Sequence, residues 1–186
     1  MRKNFGPKPF LYPQPVMVIA SCGKDGTPDA MNAAWGGIAG GDKIFLCLSS
    51  NHKTVENILE RKAFTVSVAD EAHLVEADYV GLVSGNDVPD MLERSGLHAT
   101  RSEFVDAPVI DELPLVLECK LVSYDPDSHF MVGEIVNAGA DEAILDEAGM
   151  IDPAKLKPLT FDPANGTYWS LGEKMGKAFS DGSQLK

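Results

Sequence analysis

Short apolar runs alternate with clusters of turn residues along the whole chain. Val16–Cys22 is almost uninterruptedly apolar and reads as a buried strand. Gly23-Lys24-Asp25-Gly26-Thr27-Pro28 is a turn, and Asp29–Gly37 reads as the returning strand of a hairpin. Gly36, Gly37, Gly40 and Gly41 read as a flexible link to a strand at Lys43–Leu48, which stops at Ser49-Ser50. The period then changes. Val55, Ile58 and Leu59 lie at i, i+3 and i+4, with Glu56, Asn57, Glu60 and Arg61 opposite, which predicts a helix over His52–Arg61.

Phe64–Ala69 reads as a strand, His73–Val83 as a helix and Pro89–Ser95 as a short helix. In Leu115–Ser123 the apolar Leu117, Cys119 and Leu121 alternate with Glu118 and Lys120, the period of a half-solvated antiparallel strand. Asp125–Ser128 is a turn, and His129–Ala138 is the expected partner strand. Ala143–Leu145 is read as a further short strand and Leu171–Phe179 as a terminal helix. Residues 1–15 are Pro-rich and expected to lie extended on the surface. No internal repeat or linker composition breaks the chain, so residues 1–186 are expected to form one domain. Hairpins outnumber helices, which points to a mainly β antiparallel barrel with short covering helices.

Composition narrows the function. Apolar residues make up 44% of the chain, enough for a core. A net charge of −12 works against any broad nucleic-acid contact, which needs a basic face. The three cysteines, Cys22, Cys47 and Cys119, are widely spaced. They argue against a disulfide framework, and no CxxC-like spacing marks a zinc site. Cys47 and Cys119 read as small buried hydrophobes. Ile19-Ala20-Ser21-Cys22 has the look of a lipoprotein cleavage box. The four prolines before it and the short apolar stretch Val16–Ala20 oppose an export signal, whose apolar region runs to roughly 7–15 residues. No run approaches the ~20 apolar residues of a membrane helix. A cytoplasmic protein with no membrane partner is therefore expected.

The junction "FLCLSSNHKTVENIL" has the order strand, small polar turn, helix. The first amides of a helix lack intrahelical partners and sit at the positive end of its dipole. Ser49, Ser50 and Thr54 add hydroxyls, Lys53 a point charge and His52 a ring donor. Two readings stand: an anion site, or an ordinary helix start capped by Ser50 or Asn51. It is not a P-loop, since no GxxxxGK[ST] occurs. In "MNAAWGGI", Asn32 interrupts an apolar run, Ala33 and Ala34 leave room beside the backbone, and Trp35 brings a broad ring. Here too two readings stand, a ring-binding strand or a core tryptophan with small packing residues. Taken together, the two stretches describe a phosphorylated planar ligand, and the residues alone go no further.

These segments resemble the flavin reductase-like, FMN-binding split-barrel family, in particular its flavoredoxin branch. "MNAAWGG" is similar to the family's ring-binding strand and "LSSNHKTVENI" to its phosphate turn and helix. "ADYVGLVSGNDVPDMLERSGL" resembles the next helix and Ser-Gly loop. "PLVLECKLV" and "HFMVGEIV" resemble the late strand pair, and "YWSLGEKMGKAF" the C-terminal tail. The resemblance implies an antiparallel split β-barrel of Greek-key type, non-covalent FMN, and a homodimer with flavin near the interface; Trp169, a large aromatic in the tail 165–186, points to that tail as part of the interface. It implies ring contacts from Asn32, Ala33, Ala34 and Trp35, and phosphate contacts from Ser49, Ser50, His52, Lys53 and Thr54. Asp90-Met91-Leu92 stands where many relatives carry a Lys-Phe pair, which puts efficient use of NADH or NADPH in doubt.

The resemblance also makes His129 the candidate catalytic residue, a polar group near the flavin face. The alternative is a strand-edge histidine paired to Asp125 and Asp127. The expected activity is that of an FMN-dependent oxidoreductase moving electrons or hydride through bound flavin, as a flavin reductase or a flavoredoxin-like carrier. The acidic surface suits a basic redox partner protein. A flavin-holding barrel without NAD(P)H-dependent turnover is the other expectation.

Overall fold

The computed structural model of the chain describes residues 1–185. In chain order its elements are β1 (Gln14–Pro15), β2 (Met17–Cys22), β3 (Pro28–Ala33), β4 (Gly36–Ile38), β5 (Lys43–Cys47), α1 (Lys53–Arg61), β6 (Ala63–Val68), α2 (Leu74–Leu82), α3 (Met91–Ser95), β7 (Ala99–Arg101), β8 (Pro108–Ile110), β9 (Leu115–Asp125), β10 (Phe130–Ala140), α4 (Pro153–Leu156), β11 (Leu159–Asp162) and β12 (Thr167–Ser170). Seven strands form one curled antiparallel sheet in the order β3-β2-β6-β9-β10-β5-β4. β1, β11 and β12 form a smaller sheet, and β7 pairs with β8.

The apolar run at β2 has a physical reason. Val16, Val18 and Ala20 enter one core beneath α2 and α3, while Met17 and Ile19 enter a second core beneath α1. A strand buried on both faces shows no alternation. In α1, Val55 and Ile58 are fully buried in the second core, as the helical period requires.

Several expectations are corrected. Asp29–Gly37 is two strands: β3 pairs with β2 and ends at Ala33, whereas β4 pairs with β5. Gly36 is packed rather than flexible. A Cβ there would lie 2.7 Å from Met17 Cε and 2.8 Å from Leu46 Cδ2. Glu118 is buried, not solvated. It accepts from Ser102 Oγ at 2.5 Å and Asn137 Nδ2 at 2.5 Å, beside a register shift between Ile135 and Asn137. Glu142–Ile144 is a 3-10 turn, with only Leu145 bridging to Ile151. Leu171–Phe179 is not helical. Leu171, Met175 and Phe179 are exposed, so the stretch buries too little apolar surface to offset the cost of ordering so short a helix. Cys119 is buried as expected, but Cys47 is only half-buried. Of residues 1–15, 1–13 are exposed and without regular structure, while Gln14 and Pro15 are half-buried in β1. Lys186, the last residue of the expected tail, lies outside the described residues.

Candidate functional site

β3 ends at Ala33 because its hydrogen-bonding partner β2 begins at Met17. The chain then crosses through Ala34 and Trp35 to β4, and Cys47 N–H donates to Trp35 O at 2.8 Å. That crossing lays "MNAAW" beside the end of β5 and the start of α1. Between them is an open cleft of about 260 Å³, lined by Met31–Trp35, Cys47–Ser49, His52 and Phe161. Tertiary structure thus brings Asn32, Ala33, Ala34, Trp35, Ser49 and His52 to one place.

Trp35 is not a core residue. It is 40% exposed, with its ring centroid 6.1 Å from that of Phe161. Phe161 in turn lies 6.0 Å from Tyr168, so an aromatic row borders the cleft. Neither Phe161 nor Tyr168 stood out in the sequence. Their only signal was the aromatic content of "LTFD" and "TYWS", more than a hundred residues from Asn32.

The α1 terminus is open. His52 is the N-cap residue and makes no side-chain cap, so neither Ser50 nor Asn51 plays that part. Among the described residues, nothing accepts from the N–H of Lys53 or Thr54, which lie at the positive end of the helix dipole. Ser50 is exposed and lies outside the cleft lining. Lys53 pairs with Glu56 at 3.2 Å and lines a neighbouring cavity of about 430 Å³ with Asp29, Asn57 and Gly85. Thr54 is buried and its hydroxyl donates to Asp29 Oδ2 at 2.6 Å, so it is committed to the protein. Burial pushes the Asp29 carboxyl above its ordinary value, with the Thr54 hydrogen bond and the Lys53 charge opposing. Asp29 Oδ1 and Asn57 Nδ2 are buried without a described partner.

His129 takes a left-handed φ of 61° at the end of the β9–β10 turn. It makes no ion pair with Asp125 or Asp127: Asp125 instead accepts from Ser128 Oγ at 2.7 Å and Asp127 N–H at 3.0 Å. Its carbonyl accepts from Leu48 N–H at 2.9 Å, one residue from Ser49, and its Nδ1 is buried without a described partner. His129 therefore braces the cleft wall without lining it. Asp90 accepts from Arg94 Nε at 2.9 Å, while Met91 and Leu92 are buried, so this stretch packs a short helix and its carboxylate has a counter-ion.

The flavin reductase like domain matches residues 10–165. The chain belongs to this family. Among solved structures it is similar to the flavoredoxin of Desulfovibrio vulgaris (Miyazaki F), with 35% identity, a TM-score of 0.94 and coverage of 98% of this chain and 100% of that one. It is also similar to a flavoredoxin from Methanosarcina acetivorans, at 28% identity and a TM-score of 0.90 over the full length of both. An FMN-binding domain of a flavin reductases-like enzyme from Shewanella baltica OS155 shares the fold at 24% identity and a TM-score of 0.78, covering 88% of this chain and 89% of that one. The curled seven-stranded sheet is accordingly the split barrel of flavin reductase-like proteins. Among the described residues, no helix is long and apolar enough to cross a membrane, and no group of three or more acidic, His or Cys side chains is placed to hold a metal.

Proposed function

We propose that this protein is an FMN-dependent oxidoreductase that passes electrons or hydride through a non-covalently bound flavin. One observation carries the reading: an aromatic- and alanine-walled cleft reaches His52, the N-cap of a helix whose first amides have no described acceptor and whose Lys53 lines the adjoining cavity. The residues fit the group. Asn32, Ala33, Ala34 and Trp35 would hold the ring, and Ser49, His52, Lys53 and the Lys53 and Thr54 amides would hold the phosphate. Ser50 would contribute only from the exposed rim. When bound, the flavin supplies the redox chemistry. The chain supplies orientation, an apolar wall and a positive terminus, so a nucleophile or paired carboxylate is not required. His129, through its carbonyl, would hold Leu48 and so the position of Ser49.

The electron donor is a basic redox protein in preference to NADH or NADPH. The net charge of −12 favours docking to a basic partner, and the Asp90 stretch offers no free cation to a dinucleotide. The protein acts in the cytoplasm as a homodimer in this reading. Trp169 supports the dimer, since it is 64% exposed on the short β12 hairpin beside β11, where such a ring suits an interface. Titrating the purified chain with FMN tests the proposal. Saturable quenching of flavin fluorescence with a visible band shift is expected, and no binding at micromolar flavin would overturn it. Sedimentation of a particle the size of a single chain would remove the dimer alone.

A further inference from the structure

The side chain of Asn32 is held from behind. Its Nδ2 donates to Ala77 O at 2.8 Å, and it also reaches Tyr168 Oη at 3.5 Å. Ala77 O can only accept, so the amide nitrogen and not the oxygen must face α2. Tyr168 Oη gives its own hydrogen to Asp78 Oδ1 at 2.8 Å, which leaves its lone pairs for the second Asn32 hydrogen. Burial and Asp78 together push the Tyr168 hydroxyl up to about 12, so it stays a donor to Asp78 at any working pH. α2 comes close enough for this only because residue 81 is glycine. A Cβ there would lie 2.9 Å from Asn32 Cβ.

Both hydrogens of the Asn32 amide are therefore taken by the protein. Its Oδ1 has no donor among the described residues, and Asn32 lines the cleft. We infer that Tyr168 and Asp78 are positioning residues that present Asn32 to the cleft as a hydrogen-bond acceptor, so that the site selects a planar ring carrying an N–H. This rests on the proposed function, in which the ring is a flavin. Oxidised flavin has such a donor at N3, and reduced flavin has a further one at N5. An acceptor fixed toward N3 would discriminate among flavins by substitution at that atom. An acceptor fixed toward N5 would favour the reduced form and raise the potential. Without Tyr168 or Asp78 the amide is free to turn, and either preference is lost.

The test uses the full-length protein, Tyr168→Phe, Asp78→Ala and Asn32→Ala. Each is titrated with FMN and with FMN methylated at N3, and the midpoint potential of bound FMN is measured. Both readouts are ratios, so a general loosening of the cleft moves them little. Wild type is expected to prefer FMN over the N3-methyl analogue by about tenfold, the worth of one hydrogen bond, or to hold its flavin at a potential that Asn32→Ala lowers by about 30 mV, a tenfold change for a two-electron couple. Whichever preference wild type shows should fall at least about threefold in Tyr168→Phe, which keeps the ring in place, and in Asp78→Ala. FMN binding with both ratios unchanged in those two variants would overturn the positioning role alone. Wild type that binds no flavin would overturn the proposed function and this inference with it.

Discussion

Thr54 Oγ1 donates to Asp29 Oδ2 at 2.6 Å, tying the first turn of α1 to the start of β3. The two residues are 25 apart in sequence, and both are at least nine-tenths buried. This contact sets the distance between the strand that leads to the ring side of the cleft and the helix terminus on its phosphate side. It is also the only hydrogen bond the Asp29 side chain makes with a described residue. Thr54→Val keeps the shape and removes the donor, so about 1–3 kcal/mol of stability should be lost. Urea unfolding measures it, and an unchanged midpoint would show that water replaces the hydroxyl at no cost.

Asp29 makes a pH-dependent prediction. Its folded value is raised above the ordinary 3.8, chiefly by burial. The folded chain therefore keeps a proton that the unfolded chain has released, and stability falls as pH rises from about 4 through the folded value. Asp29→Asn cannot titrate. Relative to wild type it should gain stability between about pH 4 and pH 7, whatever its offset at low pH. Unfolding curves at the two pH values decide it, and a gap that does not change with pH would be the contrary result.

Lys53 should act on the phosphate and not on the ring. Lys53→Ala is expected to weaken FMN by about 1.5–3 kcal/mol, the worth of a hydrogen bond to a charged group. Riboflavin, which has the same ring and no phosphate, should bind the variant and wild type alike. Equal losses for both ligands in parallel titrations would mean that Lys53 shapes the cleft instead.

Gly133 lies against Phe64, whose ring is fully buried in the core under α1. A Cβ at 133 would stand 2.9 Å from Phe64 Cε1 and also press on Cζ. Gly133→Ala should therefore cost about 1–3 kcal/mol through overpacking. Thermal unfolding reads this directly, and a wild-type midpoint would mean that the sheet moves aside freely.

Reduction of bound FMN by NADH or NADPH should be slow, while dithionite reduces it readily. Asp90 is partly compensated by Arg94, so its repulsion of a dinucleotide is local and screened over a Debye length of about 8 Å at physiological salt. Asp90→Lys should speed reduction by NADH, most at low ionic strength. Anaerobic stopped-flow mixing is the measurement, and complete bleaching of the wild-type flavin within seconds at sub-millimolar NADH would count against the electron-carrier reading.

The sequence by itself determined what depends on near neighbours. The apolar spacing in α1 and the turn chemistry at residues 23–28 and 125–128 survive, because each arises within a few residues. It also marked "MNAAW" and "SSNHKT" as the two unusual stretches. Tertiary structure alone decided how they are used. The break at Ala34-Trp35 exists because β4 pairs with β5 and not with β2, and a pairing choice leaves no local periodicity. Thr54 turns to Asp29, Glu118 is buried and Asn32 is held by Tyr168 because each polar group, once taken from water, must find a partner wherever the fold brings one. Leu171–Phe179 shows the reverse. Its helical spacing of apolar residues is real, but Leu171, Met175 and Phe179 all stay exposed, and a hydrophobic stripe that buries so little does not make a helix.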